Sequence, residues 1–266
     1  MTYSEQNDFE EKNAVLSAMH ERLNYYKIVH DFSSANTLEI GGAGGVFGGL
    51  ISSHVRRVIV SDIIDSQLMY NGEFPRLLKE KFIRNGFDFS FDKIEFHVAD
   101  AINLPYKDNL FDLVVSVNAF EHIPEPILAL QETVRVVKKG GVIYLTFDPI
   151  WTADSGNHFT NFVPEPWRHL LCDTNSFCNE MQKAGASGDQ LNDFRYGMNR
   201  KPAKVYSEGF PRILESLGVE KYHLDSWSGC IHEEHTGHPN RFAAGRALGC
   251  SPDELLIRGF AVCIVK

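Results

Sequence analysis

Residues Thr37 to Leu50, TLEIGGAGGVFGGL, constrain the fold more than any other stretch of the chain. A short apolar run carries an acid, Glu39, and passes directly into a glycine-dense turn. Behind the turn, Val46, Phe47, Leu50 and Ile51 fall at helical spacing. A strand, a tight turn and a helix start therefore share one window. Glycine serves such a turn twice, by reaching backbone angles closed to other residues and by letting a ligand approach the main chain. The helix start adds free N–H groups and a partial positive charge. Such a site suits an anionic group of a nucleotide-like ligand, a phosphate or a carboxylate. Spacing narrows the ligand further. Dinucleotide sites read G-x-G-x-x-G, and in the frame from Gly42 the third glycine is replaced by Phe47. A P-loop ends in Gly-Lys-Ser/Thr, and no lysine lies nearby. What remains is acid-x-Gly-x-Ala-x-Gly, from Glu39 to Gly45.

Further apolar runs follow at the intervals expected of alternating strands and helices. Val58 to Ser61 ends in Asp62, where nucleotide-binding α/β folds place an acid that accepts hydrogen bonds from ribose hydroxyls. A helix cap is the structural alternative for Asp62. Ile94 to Val98 leads into Asp100 and Ala101. Leu104-Pro105-Tyr106 precedes Phe111 to Asn118, and Val134 to Leu145 contains Lys138-Lys139-Gly140-Gly141. In this order, from Leu38 to Phe147, the segments resemble the motifs of class I S-adenosylmethionine (SAM)-dependent methyltransferases, of the type 11 kind. Those begin acid-x-Gly-x-Gly-x-Gly. Here Ala43 stands at the middle glycine, and Lys139 replaces the proline of the usual L-K-P-G-G turn. The resemblance implies an α/β, Rossmann-like fold with a seven-stranded, mostly parallel sheet and an inserted lid. It implies SAM as methyl donor, with S-adenosylhomocysteine as product. Glu39, Gly41, Gly42, Ala43 and Gly45 then shape the cofactor cradle. Asp62, with Ile63 beside it, holds the ribose. Asp100 and Ala101 meet the adenine, and Asn118 lies near the methionine end.

The length of 266 residues suits one large domain or a domain with an inserted cap, and 43% apolar residues suffice for a sizeable core. No apolar run reaches the eighteen or so residues of a membrane span. The first residues, MTYSEQNDFEEKN, are acidic and do not read as a signal peptide. Five scattered cysteines without a C-x-x-C pair fit reduced thiols in the cytoplasm. A net charge of −9 argues against a broad nucleic-acid surface and for a small-molecule partner. Monomer and homodimer are both open.

Four segments are expected: residues 1–36 as a helical lead, 37–150 as the SAM-binding core, 151–205 as a lid, and 206–266 completing the sheet. Leu16, Met19, Leu23 and Tyr26 predict an amphipathic helix over Asp8 to Phe32, packed on the sheet edge or the cofactor, with dimerisation as the weaker role. Ser66 to Asn85 is helical but interrupted by Gly72 and Pro75. Pro126 to Lys138 is a helix closed by Lys138-Lys139-Gly140. Asp148 to Lys204 shows weak periodicity and reads as an irregular lid. A helix over Tyr206 to Leu217 precedes a closing hairpin of Tyr222–Ser228 and Gly259–Val265, with a long loop between.

Methyl transfer from a sulfonium needs alignment and exclusion of water, and a base where the acceptor is a hydroxyl. His158, just beyond the fifth strand, is the leading base candidate. His122, after the fourth, is the second, with a packing role as its alternative. Trp151 is a lid anchor or a stacking surface. His232, His235 and His238, with Glu233 and Glu234, have the donor types for a divalent ion. Their spacing is not H-E-x-x-H, and Gly237 and Pro239 favour a polar loop, so metal is the lesser reading. The expected function is O-methylation of a sugar or secondary-metabolite-like small molecule. A non-catalytic SAM-binding scaffold is the main alternative; a nicotinamide oxidoreductase and a metal-dependent hydrolase are more remote.

Overall fold

The computed structural model describes residues 5–28 and 31–266. Strands β1 (Asn36–Ile40), β2 (Arg57–Asp62), β3 (Ile94–Val98), β4 (Phe111–Val117), β5 (Val137–Phe147), β6 (Lys221–Ser228) and β7 (Ile257–Val265) form one sheet, ordered β3-β2-β1-β4-β5-β7-β6. Pairs among β1 to β5 are parallel; β7 runs antiparallel to both β5 and β6. The expected α/β fold, with its closing hairpin, is the observed one.

Helices α1 (Glu5–Tyr25), α2 (Val46–Ser52), α3 (Ser66–Met69), α4 (Phe74–Asn85) and α5 (Pro126–Val136) belong to the first half of the chain. The second half adds α6 (Thr174–Lys183), α7 (Gly188–Tyr196), α8 (Ala203–Ser207), α9 (Gly209–Ser216) and α10 (Pro239–Leu248). Side chains alternate across the strands, so the sheet divides the core in two. On one face Val58, Val60, Leu113 and Val115 pack with Met19 and Leu23 of α1, Phe47 of α2 and Phe82 of α4. On the other, Ile59, Val114 and Ile143 pack with Leu130 and Val134 of α5 and Phe210 of α9.

Several boundaries differ from the sequence reading. Helix α1 stops at Tyr25, and Lys27 turns left-handed at φ 57° instead of carrying the helix to Phe32. Residues 29 and 30 lie outside the described residues. Lys138 and Lys139 belong to β5, not to the preceding helix, because Val137 already pairs with Phe111 and the Lys138 ammonium bonds Asp112 at 2.6 Å. The helix foreseen over Tyr206 to Leu217 is two helices, parted at Glu208. The segment read as an irregular lid contains two regular helices, α6 and α7, joined by irregular chain. Asp173 caps α6, and a reciprocal Ser187–Gln190 capping box starts α7. The loop foreseen over Gly229 to Arg258 contains α10, which starts at Pro239 and ends at left-handed Gly249.

A Cβ added at Gly49 of α2 would come within 2.2 Å of the Phe82 ring in the core. Gly49→Ala should therefore lower unfolding free energy by about 1–3 kcal/mol in urea titration. Intrinsic helix propensity alone would raise it by about 1 kcal/mol, so an increase would contradict this packing.

Candidate functional site

The chain leaves β1 through Gly41 at φ 78°, whose N–H donates to the Ser61 carbonyl at 2.8 Å. A Cβ at Gly41 would lie 2.2 Å from that of Ala119. Beneath the turn sits Glu39, only 3% exposed. A Cβ at Gly42 would reach its Oε2 at 2.6 Å, and one at Gly48 at 2.5 Å. Glu39 is thus packed under the glycines and lines neither cavity described below. Burial pushes its carboxyl from 4.5 up to about 7. Gly45 is the left-handed cap of α2, and its space is filled by Leu78 and Phe96, away from the cleft.

Beyond the carboxyl ends of the strands lies a cleft of about 630 Å³. Gly41, Asp62, Ile63, Asp100, Ala101, Asn118, His122 and His158 are among its lining residues. Gly42 and Ala43 instead line a neighbouring recess of about 240 Å³, which shares Asp62. Asp62 is not a helix cap. Its Oδ2 accepts from the Ala43 N–H at 3.0 Å and its Oδ1 from the Ile64 N–H at 2.9 Å. Each oxygen keeps a lone pair for a ligand hydroxyl. Asp100 accepts from the Ile102 N–H at 3.1 Å. Ile63, Ile64, Ile123 and Met198 give the cleft apolar walls. Two carboxylates, apolar walls and a turn closed to any Cβ fit a nucleoside with ribose hydroxyls and an exocyclic amine.

A second cavity, of about 690 Å³, adjoins the first. Asn118, His122 and His158 line both, and Asn118 and His158 adopt left-handed backbone at φ 51° and 61°. Glu11 and Arg22 of α1, Glu121, Tyr144, Asp148, Trp227 and Arg258 line the rest. The two imidazoles meet edge to face, with centroids 5.1 Å apart. His158 Nε2 lies 3.0 Å from the Pro149 carbonyl, and His122 Nδ1 lies 2.7 Å from the Gly197 carbonyl. Each of these nitrogens donates, so each neutral ring keeps an acceptor, Nδ1 on His158 and Nε2 on His122. Burial, and then His122, lowers His158 to about 4. Desolvation lowers His122 as well. Both rings are therefore uncharged at neutral pH.

Trp151 packs against the segment that follows it. Its ring meets His169 at 4.7 Å and Phe194 at 5.9 Å, its carbonyl accepts from His169 Nε2 at 2.8 Å, and Arg200 lies over it at 4.9 Å. Near residue 235 the rings of His232 and His235 meet edge to face, with centroids 5.1 Å apart, and nitrogens of His235 and His238 are engaged elsewhere. His235 Nδ1 bonds Asp154 at 2.7 Å, and His238 accepts from the Asn240 N–H as the cap of α10. Among the described residues, no group of three or more His, Cys, Asp or Glu is arranged to hold a metal ion. No described helix is long and apolar enough to cross a membrane. The sequence reading missed Arg22, Glu121, Tyr144, Trp227 and Arg258. Of these, Glu121 carried a signal, as a charged residue in the otherwise apolar Ala119-Phe120 exit of β4.

Comparison with known proteins agrees with this geometry. Residues 38–145 match the methyltransferase domain family. Norajmaline N-methyltransferase of Rauvolfia serpentina is 41% identical over 54 residues, 20% of this chain and 18% of the relative. Methyltransferase GfsG of Streptomyces halstedii is 26% identical over 136 residues, 48% of this chain and 47% of the relative. The chain thus spans half or less of the length of these curated relatives. The YcgJ protein of Bacillus subtilis shares the fold at a TM-score of 0.53 and 16% identity, over 93% of this chain and 98% of that one. The domain match covers residues 38–145, and the seven-stranded sheet around it has the class I methyltransferase fold.

Proposed function

We propose that the protein transfers a methyl group from SAM to an oxygen of a polar small molecule, of the sugar or secondary-metabolite kind. One observation carries the reading: a nucleoside-sized cleft and a second, polar cavity meet at Asn118, His122 and His158. SAM supplies a methyl group already activated on a sulfonium. The chain contributes placement and water exclusion. Asp62 and Asp100 hold the nucleoside part, Gly41 and Ala101 let it lie close, and Asn118 flanks the reacting end. Glu39, Gly42, Ala43 and Gly45 keep the turn in shape.

The unprotonated Nδ1 of His158 accepts the acceptor hydroxyl's proton as the oxygen–methyl bond forms, and His122 Nε2 is the second acceptor. The labour divides along the chain. Residues 37–150 carry the cofactor, 151–205 form the lid, 206–266 complete the sheet, and α1 in residues 1–36 walls the acceptor cavity. Five unpaired cysteines support a reducing, cytoplasmic setting.

Transfer of labelled methyl from SAM, scored over polyhydroxylated acceptors, tests the reading; no transfer to any of them would count against catalysis. With a working acceptor, Asp62→Ala should raise the KM for SAM roughly tenfold or more, the scale of a lost hydrogen-bonded carboxylate. His158→Gln should lower kcat about a hundredfold with little change in that KM. A base must be unprotonated, so kcat should hold from pH 8 to 6 and fall only toward the His158 value of about 4. An acid limb centred at an ordinary 6.5 would remove His158 from the role.

A further inference from the structure

The acceptor cavity contains five charged side chains, and four are answered from nearby. Arg22 donates to Asp225 at 2.9 Å and to the Tyr144 hydroxyl at 3.3 Å. Arg258 donates to Asp148 at 3.1 Å, and its other arm lies 3.7 Å from buried Asp154. Glu11 accepts from the Asn118 amide at 3.2 Å and lies 3.8 Å from Lys12. The fifth is Glu121. It is 1% exposed, and neither carboxyl oxygen has a hydrogen-bond partner. The nearest basic nitrogen, His122 Nε2, is 3.8 Å away, too far for a hydrogen bond.

Resting on the function proposed above, we infer that Glu121 is an acceptor-binding residue, and that the acceptor carries a basic nitrogen that meets the Glu121 carboxyl as an ammonium group. A buried carboxyl without partners is unfavourable in either protonation state, and a partner brought by a ligand relieves it. Burial, with Asp148 nearby, holds the Glu121 carboxyl well above the usual carboxylate range. An ammonium group reverses that balance, since an opposite charge favours the ionised form. A neutral hydroxyl offers a hydrogen bond but no such charge. An anionic group finds both arginines already matched by aspartates. Glu121 adjoins His122 in the chain, so the nitrogen is held at the end of the cavity that opens to the cofactor cleft.

The test uses the full chain saturated with S-adenosylhomocysteine and two probes of one shape, cyclohexylamine and cyclohexanol, titrated by NMR. The amine should bind about tenfold more tightly than the alcohol, a ratio set by its charge. In E121Q, nearly the same in shape, the ratio should fall to about one. Equal affinities in the wild type, or no binding of either probe, overturn the inference without any variant. A preference that survives in E121Q overturns it too, assigning the charge to Glu11 or Asp148. The preceding S-adenosylhomocysteine titration separates the two readings. Failure there sinks the methyltransferase reading. Success there with no amine preference sinks only the role of Glu121.

Discussion

The site depends on how closely the glycine turn lies over Glu39. Gly42 and Gly48 approach its carboxyl so nearly that neither position has room for a Cβ, and Gly41 presses as closely on Ala119. These contacts bind the end of β1 to α2 on one side and to the exit of β4 on the other. The same exit carries Asn118, Glu121 and His122. One packing constraint thereby links the residues around the cleft to those around the second cavity. Glu39 performs this from below, without lining the cleft. Its uncharged form is favoured by burial, which suits an acid enclosed by backbone and Val60.

Charge is arranged differently on the two sides of the junction. The cleft offers carboxylates at the ends of β2 and β3, both already held by backbone N–H groups and so fixed in place. The second cavity is a field of matched pairs around one exception, Glu121. Arg22 reaches Asp225 on β6, and Tyr26 donates a second hydrogen bond to the same carboxylate. Arg258 ties β7 to Asp148 and Ser155. These bonds dock α1 and residues 148–155 to the antiparallel edge. Between the two regions stand uncharged imidazoles, which can accept a proton without repelling a sulfonium.

Much of the fold was legible because it rests on local rules. The runs at Val58 to Ser61 and Phe111 to Val117 are buried strands, apart from the half-exposed Asp112, and they read as strands. The turn at Gly41 read correctly because only glycine fits it. Helices α6 and α7 were missed because they are short and pack on a small core around Phe177 and Phe194, so their apolar period is faint. Their caps, Asp173 and Ser187, were the available signal. Helix α10 was hidden for a similar reason, although Pro239 and Gly249 mark its ends. The second cavity was least legible, since Tyr144 and Arg258 meet through the antiparallel pairing of β5, β7 and β6, and Arg22 joins them only by the packing of α1 on that edge. His122 and His158 could be named from sequence, but not their contact or their shared loss of charge.

The central claim is that the cleft at Asp62 and Asp100 takes the SAM nucleoside. Calorimetric titration of the wild-type protein with S-adenosylhomocysteine, beside NAD, tests it most directly. Micromolar binding of S-adenosylhomocysteine at one site per chain, with no heat from NAD, is the expected result. Binding of NAD instead, or of neither ligand, would contradict it.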